Sequence, residues 1–179
     1  MAEQYNPVVR LSSMELERNA GPGRFGSLDG FVGEALKLTR LGCAYTEVAP
    51  GMTACPYHVH HAEDEMFVIL SGEGEYRFGG QTYQVQAGDV LGAPVGGPEY
   101  AHQLLNTGAD TLKYLAISSK ADLEVCEYPD SGKLAIYSRP VHGTARRNYT
   151  HVGRQESRVG YYEGENTEGA APERAEASN

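Results

Sequence analysis

The chain has 179 residues, 40% of them hydrophobic and 22% charged, with a formal net charge of −9 at neutral pH. That length holds one domain plus tails and buries a core without help from disulfides, while the acidic balance argues against broad contact with nucleic-acid phosphates. The longest clean apolar run, Met66–Leu70, has five residues, which excludes a transmembrane helix.

The opening, "MAEQYNPVVRLSS", has no basic segment followed by an apolar one, so no signal peptide is expected and a cytoplasmic location is. "VVRL" (8–11) suits a strand wrapping the main body or a neighbouring subunit, and "SSMELERNA" (12–20) reads as a short helix or irregular chain. Residues 1–41 are therefore an N-terminal arm. From residue 42 to 143, short β-branched and aromatic runs alternate with glycine and proline: "AYTEVAPG" (44–51), "EMFVILSGEGEYRFGG" (65–80), "QTYQVQAGDVLGAP" (81–94), "AHQLLNTG" (101–108) and "TLKYLAISS" (111–119). "QTYQVQ" alternates polar and apolar residues as a half-buried strand does. Gly72, Gly74, Gly79 and Gly80 supply the positive-φ positions of hairpins. A turn signal about every 8–12 residues predicts an all-β closed or double-sheet architecture.

"YPDSGK" (128–133) has the content of a turn, with a lid or a contact to a substrate anion as its functional reading. Beyond residue 143 the pattern dissolves, so 144–179 is a C-terminal extension, expected to be disordered from about Thr167, where "TEGAAPERAEASN" is too polar to offset ordering entropy. Between residues 139 and 158 five arginines face only Glu156, which reads as a solvated segment rather than an anion site. Three cysteines, Cys43, Cys55 and Cys126, lack CxxC spacing and fit free thiols in a reducing compartment.

Chemistry concentrates in "CPYHVHHAEDEMFVILSG" (55–72) and "EYAHQLLN" (99–106). On a strand, residues two apart share a face, so His58 and His60 point one way and Tyr57, Val59 and His61 the other. A strand beginning at Glu65 puts that carboxylate on the face of Phe67 and Ile69. By the same period Tyr100, His102, Leu104 and Asn106 line up. Three imidazoles and a carboxylate, from His58, His60, His102 and Glu65, form a shell for a divalent transition metal such as iron, manganese, zinc or nickel. They fill four positions, and an octahedral ion would keep two for water, dioxygen or a bidentate substrate. Tyr100 is a candidate proton-transfer group at the cavity mouth, or a cap on the sheet edge. His61 reads as an outward residue or a partner to a ligand, Glu63 and Asp64 as a solvated turn, Cys55 as a buried small hydrophobe, and Asn106 as the anchor of a turn. His142 and His151 carry no role.

These stretches resemble the paired motifs of the cupin superfamily. The first is represented by Gly51, His58-Val59-His60, Glu65 and Gly72, with Gly51 one residue early; the second by Gly88, Pro94, Gly96, His102 and Asn106, with three extra residues between Gly96 and His102. "YPDSGK" and "YYEGE" (161–165) extend the likeness, over roughly residues 25–165, to a largely uncharacterised group of single-domain bacterial cupins, some labelled sugar-phosphate isomerases. The resemblance implies a double-stranded β-helix (jelly roll), usually a homodimer, and no single reaction. The expected function is a metal-dependent enzyme acting on a small polar molecule: a dioxygenase, or a Lewis-acid isomerase or lyase with a sugar-phosphate-like or hydroxy-acid substrate. The alternative is a non-catalytic metal-containing binding or sensor module; the N-terminal arm shows no helix-turn-helix pattern, so neither nucleic acid nor membrane is an expected partner.

Overall fold

The structure, a computed structural model, describes residues 5–138, 149–154, 159–165 and 169. Strands β1 (Glu17–Ala20) and β2 (Gly26–Gly30) form a hairpin, followed by the one-turn helix α1 (Val32–Ala35) and β3 (Leu41–Val48). There follow β4 (Val59–His60), β5 (Glu65–Ser71), β6 (Glu73–Phe78), β7 (Gln81–Gln86) and β8 (Val90–Ala93). The last group is β9 (His102–Leu105), β10 (Leu112–Ser119), β11 (Leu123–Tyr128), β12 (Lys133–Ser138) and β13 (Tyr149–Arg154).

One layer is the six-stranded sheet β1-β2-β3-β10-β5-β8. The other is made of the sheets β13-β12-β11-β4 and β7-β6-β9, joined where His58 bridges His102. Each of those two residues donates its N–H to the other's carbonyl, at 3.0 and 2.7 Å. The core lies between the layers. Val48, Phe67, Ile69, Leu91, Leu112 and Tyr114 come from the first layer, Tyr76, Val85 and Leu104 from the second. This is the expected double-stranded β-helix.

Strand alternation explains which residues reach that core. On β5, Glu65, Phe67 and Ile69 point inward, while Met66 and Leu70 remain 40% and 41% exposed on the outer face. At Gly72 the chain crosses from β5 in one layer to β6 in the other; φ is +83° there, and a Cβ would lie 2.8 Å from the Thr111 carbonyl oxygen. Gly74 is required for a different reason from the one its hairpin position suggested. Its φ is not positive, but β6 approaches β9 so closely that a Cβ would collide with the Leu105 carbonyl.

The N-terminal expectations need correction. "VVRL" is not a strand: residues 5–10 have no regular structure, and Leu11–Ser13 form a 3-10 turn. Val8 donates its N–H to Asn6 Oδ1 at 3.1 Å, a local contact in place of a ladder. The end of the 12–20 stretch becomes β1, because Glu17–Ala20 finds a partner in Gly26–Asp29. At the other end, β13 pairs along β12 from Lys133↔Arg154 to Ser138↔Tyr149, so the weakly patterned extension contributes a strand. His142, Arg139, Arg146, Arg147, Glu156 and Arg158 lie outside the described residues, as does all but residue 169 of the segment expected to be disordered. Among the described residues no helix is long and apolar enough to cross a membrane.

Candidate metal centre

The site forms where the second layer is pinned together. The His58–His102 bridge sets the edge of β4 against the start of β9, and Glu65 opens β5 from the opposite layer. The side chains of His58, His60, Glu65 and His102 converge, one ligand-type atom from each lying within 4.8 Å of all the others. Glu65 Oε2 is the focus: His102 Nε2 is 2.9 Å away, His60 Nε2 3.2 Å and His58 Nε2 3.7 Å. All four groups are buried or nearly so.

The opposite nitrogen of two of the rings faces a backbone carbonyl. His58 Nδ1 lies 2.8 Å from the Pro56 carbonyl and His102 Nδ1 3.3 Å from the Tyr100 carbonyl. A carbonyl only accepts, so these contacts suit a proton on Nδ1, which would free Nε2 of each ring to ligate a cation, while without one His102 Nε2 lies within hydrogen-bonding distance of Glu65 Oε2 at 2.9 Å. His60 Nε2 is buried without a hydrogen-bond partner, its 3.2 Å contact with Glu65 being misaligned for one. Lone pairs facing a carboxylate repel unless a positive charge sits among them. A borderline divalent cation meets all four needs at once, so the donor set fits a metal.

Without a cation, protons take that role. Burial pushes the Glu65 carboxyl up, but His102, His58 and His60 together hold it well below the usual carboxylate range. Burial works against charge on His58, yet the Cys55 and Glu65 side chains beside it raise its pKa well above the ordinary imidazole value. His102 goes the other way: burial dominates and lowers it. One imidazole thus carries the proton that a cation displaces.

The centre opens on a cavity of about 360 Å³ whose far wall comes from β11 and β12. Glu124, Cys126 and Tyr128 alternate on one face of β11, and Tyr137 follows from β12. Cys126 Sγ is 3.3 Å and Glu124 Oε1 3.8 Å from His60 Nδ1, so these two groups back the ring. Burial pushes the Cys126 thiol up to about 12. Tyr128 lies near-parallel to His58, with centroids 6.1 Å apart, and its hydroxyl is 3.5 Å from that of Tyr137. Motif spacing pointed to none of these residues, because they lie some sixty positions from the HxH segment; the signal available was the period-two series Glu124, Cys126, Tyr128.

Tyr100, the candidate proton-transfer group, is not placed as strand parity predicts. The inserted "GGPEYA" folds into a 3-10 turn at Pro98–Tyr100, so the parity of β9 does not run back to it. Its ring packs 6.1 Å from that of Phe78 and lies over Gly96, where a Cβ would collide with it. The phenol is outside the cavity lining, and its residue serves His102 through the backbone carbonyl. Glu63 is not in a solvated turn: it is 4% exposed and accepts the Ala121 N–H at 2.7 Å. Cys55 is half-buried on the cavity wall beside His58 rather than a core filler. His61 points outward to Glu127 at 3.3 Å. Asn106 anchors a turn, donating to the Val48 and Asp110 carbonyls at 2.7 and 2.8 Å. Asp130 of "YPDSGK" pairs with Arg77 at 2.6 and 2.8 Å.

Residues 44–118 match the family model described as "Cupin domain". An oxalate-binding protein of Thermotoga maritima is 31% identical over 121 residues, covering 65% of this chain and 97% of that protein. Among solved structures, a candidate sugar phosphate isomerase from Acidithiobacillus ferrooxidans shares 27% identity, with a TM-score of 0.70 over 83% of this chain and 91% of its own. A sugar phosphate isomerase of the cupin superfamily from Silicibacter pomeroyi, at 20% identity, is alike in fold, with a TM-score of 0.71 over 84% of this chain and 94% of its own.

Proposed function

This chain belongs to the cupin superfamily, and from that premise we propose that it is a metal-dependent enzyme whose ion chelates a small oxygen-bearing molecule in the β11–β12 cavity. The observation that carries the reading is the convergence of three imidazole Nε2 atoms on Glu65 Oε2. His58, His60, Glu65 and His102 would hold iron, manganese, zinc or nickel. When bound, the ion supplies Lewis-acid polarisation of a chelated oxygen or, as iron or manganese, chemistry with dioxygen.

The protein's own groups bind and orient. The Tyr128 and Tyr137 hydroxyls offer donors at the cavity wall, and the protonated Cys126 thiol backs His60 without competing as a thiolate. Glu124 accepts the His61 and Ala62 N–H groups and Glu63 that of Ala121, so both wall carboxylates are engaged as acceptors. The dioxygenase branch needs no protein base, whereas an isomerase or lyase would draw one from groups such as these. The isomerase reading draws its support from the Acidithiobacillus protein, and a non-catalytic binding role from the oxalate-binding relative.

We place the enzyme in the cytoplasm as a homodimer. Met66, Val68, Leu115, Ile117 and Val90 share the outer face of the six-stranded sheet by register, with Met66 and Val90 40% and 61% exposed, and a second copy would cover them. The test is elemental analysis of anaerobically purified wild type beside the double variant His58→Ala/His60→Ala, followed by oxygen-uptake assays. Metal at background in the variant, with β-type circular dichroism retained, is expected. Undiminished metal would sink the ligand assignment, and turnover without oxygen uptake would move the reaction to the isomerase or lyase branch.

A further inference from the structure

Glu65 also lines a second cavity, of about 220 Å³, walled by α1, β3 and β10 where the larger one is walled by β11 and β12. We propose that this second cavity is an anion subsite of the metal centre. The Lys120 ammonium and the Ser118 hydroxyl take the phosphate or carboxylate at one end of a sugar-sized substrate whose other end meets the ion. The proposal rests on the metal reading above and adds the end group of its substrate.

The hollow follows from side-chain size. Facing the core, β3 and β10 pair Val48 with Leu112 and Thr46 with Tyr114, then Ala44 with Ala116 and Gly42 with Ser118. Alternation along each strand keeps all of these on one face, so the layer thins as it approaches Glu65. Ser118 stands in register between Gly42 on β3 and Glu65 on β5. The row from Gly42 to Glu65 thus spans two strand spacings, about 10 Å. Gly42 leaves the Ser118 hydroxyl its place: a Cβ there would lie 2.5 Å from Ser118 Oγ and 3.8 Å from Lys120 Cε. Lys120 is fixed by its backbone, whose N–H donates to the Arg40 carbonyl at 3.1 Å and ties the chain leaving β10 to the turn before β3.

Volume and charge say what the hollow takes. Sites for a whole small molecule run to roughly 300–1,000 Å³, so about 220 Å³ suits an end group, the rest of the molecule extending past Glu65 into the larger cavity. Lys120 is half-buried, and the lysine and arginine ion pairs among the described residues, Arg77–Asp130 and Lys113–Glu47, do not use it. The acid that lines the hollow besides Glu65 is Glu34 on α1; it is exposed, so water and salt screen it more than they screen the ammonium. A bound ion offsets the charge of Glu65. An ammonium brings three donors and a compact positive charge, and the Ser118 hydroxyl a fourth donor, which is what the oxygens of a phosphate or carboxylate accept.

The test uses full-length protein loaded with Mn²⁺, as wild type, Lys120→Met and Ser118→Ala, retention of the ion being measured first. Binding of D-glucose, D-glucose 6-phosphate and D-glucuronate, which share a ring and differ in the end group, is then followed by titration calorimetry. Wild type is expected to bind at least one charged probe about tenfold or more tighter than glucose, the tighter of the two telling phosphate from carboxylate. Lys120→Met should remove about tenfold of that affinity and Ser118→Ala about threefold, with glucose binding and Mn²⁺ retention unchanged. Three outcomes would overturn the proposal while leaving the metal centre intact: no charged probe preferred over glucose, a preference that survives Lys120→Met because the end group sits on the ion itself, or a Lys120→Met variant that loses Mn²⁺ and so gives the lysine a structural role. Failure of the wild type to retain Mn²⁺ or any other divalent ion would instead overturn the proposed function beneath it.

Discussion

Arg77 on β6 and Asp130 in the β11–β12 turn fasten the hairpin that carries Tyr128 and Tyr137 over the cavity, and removing the arginine tests that fastening. The pair is bidentate, at 2.6 and 2.8 Å, but its side chains are 35% and 53% exposed, so solvent screens it to roughly 0.5 kcal/mol. Arg77 also lies 3.6 Å over the Tyr57 ring, a cation–π contact worth about 0.5–1 kcal/mol. Asp130→Asn should therefore cost about 0.5 kcal/mol and Arg77→Ala about 1–1.5 kcal/mol. For a chain of this size that is a fall in Tm of about 1–2 °C and 3–5 °C respectively.

Arg77 holds the Asp130 carboxyl below its ordinary value of 3.8. A depressed acid contributes stability above its unfolded pKa and loses it as pH falls through the folded one. The gap between wild type and Asp130→Asn should thus be full at neutral pH, diminish as pH falls below 3.8 and through the lower folded value, and shrink in high salt. Thermal unfolding of both single variants and the double variant, followed by circular dichroism across pH, gives the coupling. Equal losses in the two single variants would remove the Tyr57 contribution, and a gap that persists in acid would refute the ion-pair account.

Metal affinity should be full above the raised His58 pKa and weaken as pH falls through it, because ion and proton compete for Nε2; equilibrium dialysis showing a flat profile between about pH 8 and 5 would contradict this. Tyr100→Phe keeps the backbone carbonyl facing His102 and removes a phenol outside the cavity, so metal stoichiometry and turnover should match wild type. A loss of turnover with metal retained would restore that phenol to the chemistry. Leu112 is fully buried in the core, and Leu112→Ala should cost about 2–5 kcal/mol in urea unfolding; a loss below about 1 kcal/mol would mean the layers are less tightly packed there than drawn.

Legibility followed the range of each interaction. Glu65, Phe67 and Ile69 were placed on one face, as were His58 and His60, because alternation along a strand is local geometry. The same reasoning misplaced Tyr100, since an inserted 3-10 turn resets the alternation and composition alone does not announce it. Glu63 looked solvated because its neighbours are charged, yet its partner Ala121 is 58 positions away. Gly74 was expected to serve a turn, and its actual reason is a neighbouring strand's carbonyl.

The sequence by itself determined the all-β character, the superfamily and which side chains of each strand face inward, because period-two patterning and motif spacing are properties of a single stretch of chain. Only the tertiary structure decided what those side chains meet. Glu124, Cys126, Tyr128 and Tyr137 close the cavity because β11 pairs with β4 through Cys126↔His60, and strand pairing across that distance is set by how two layers fold over a common core.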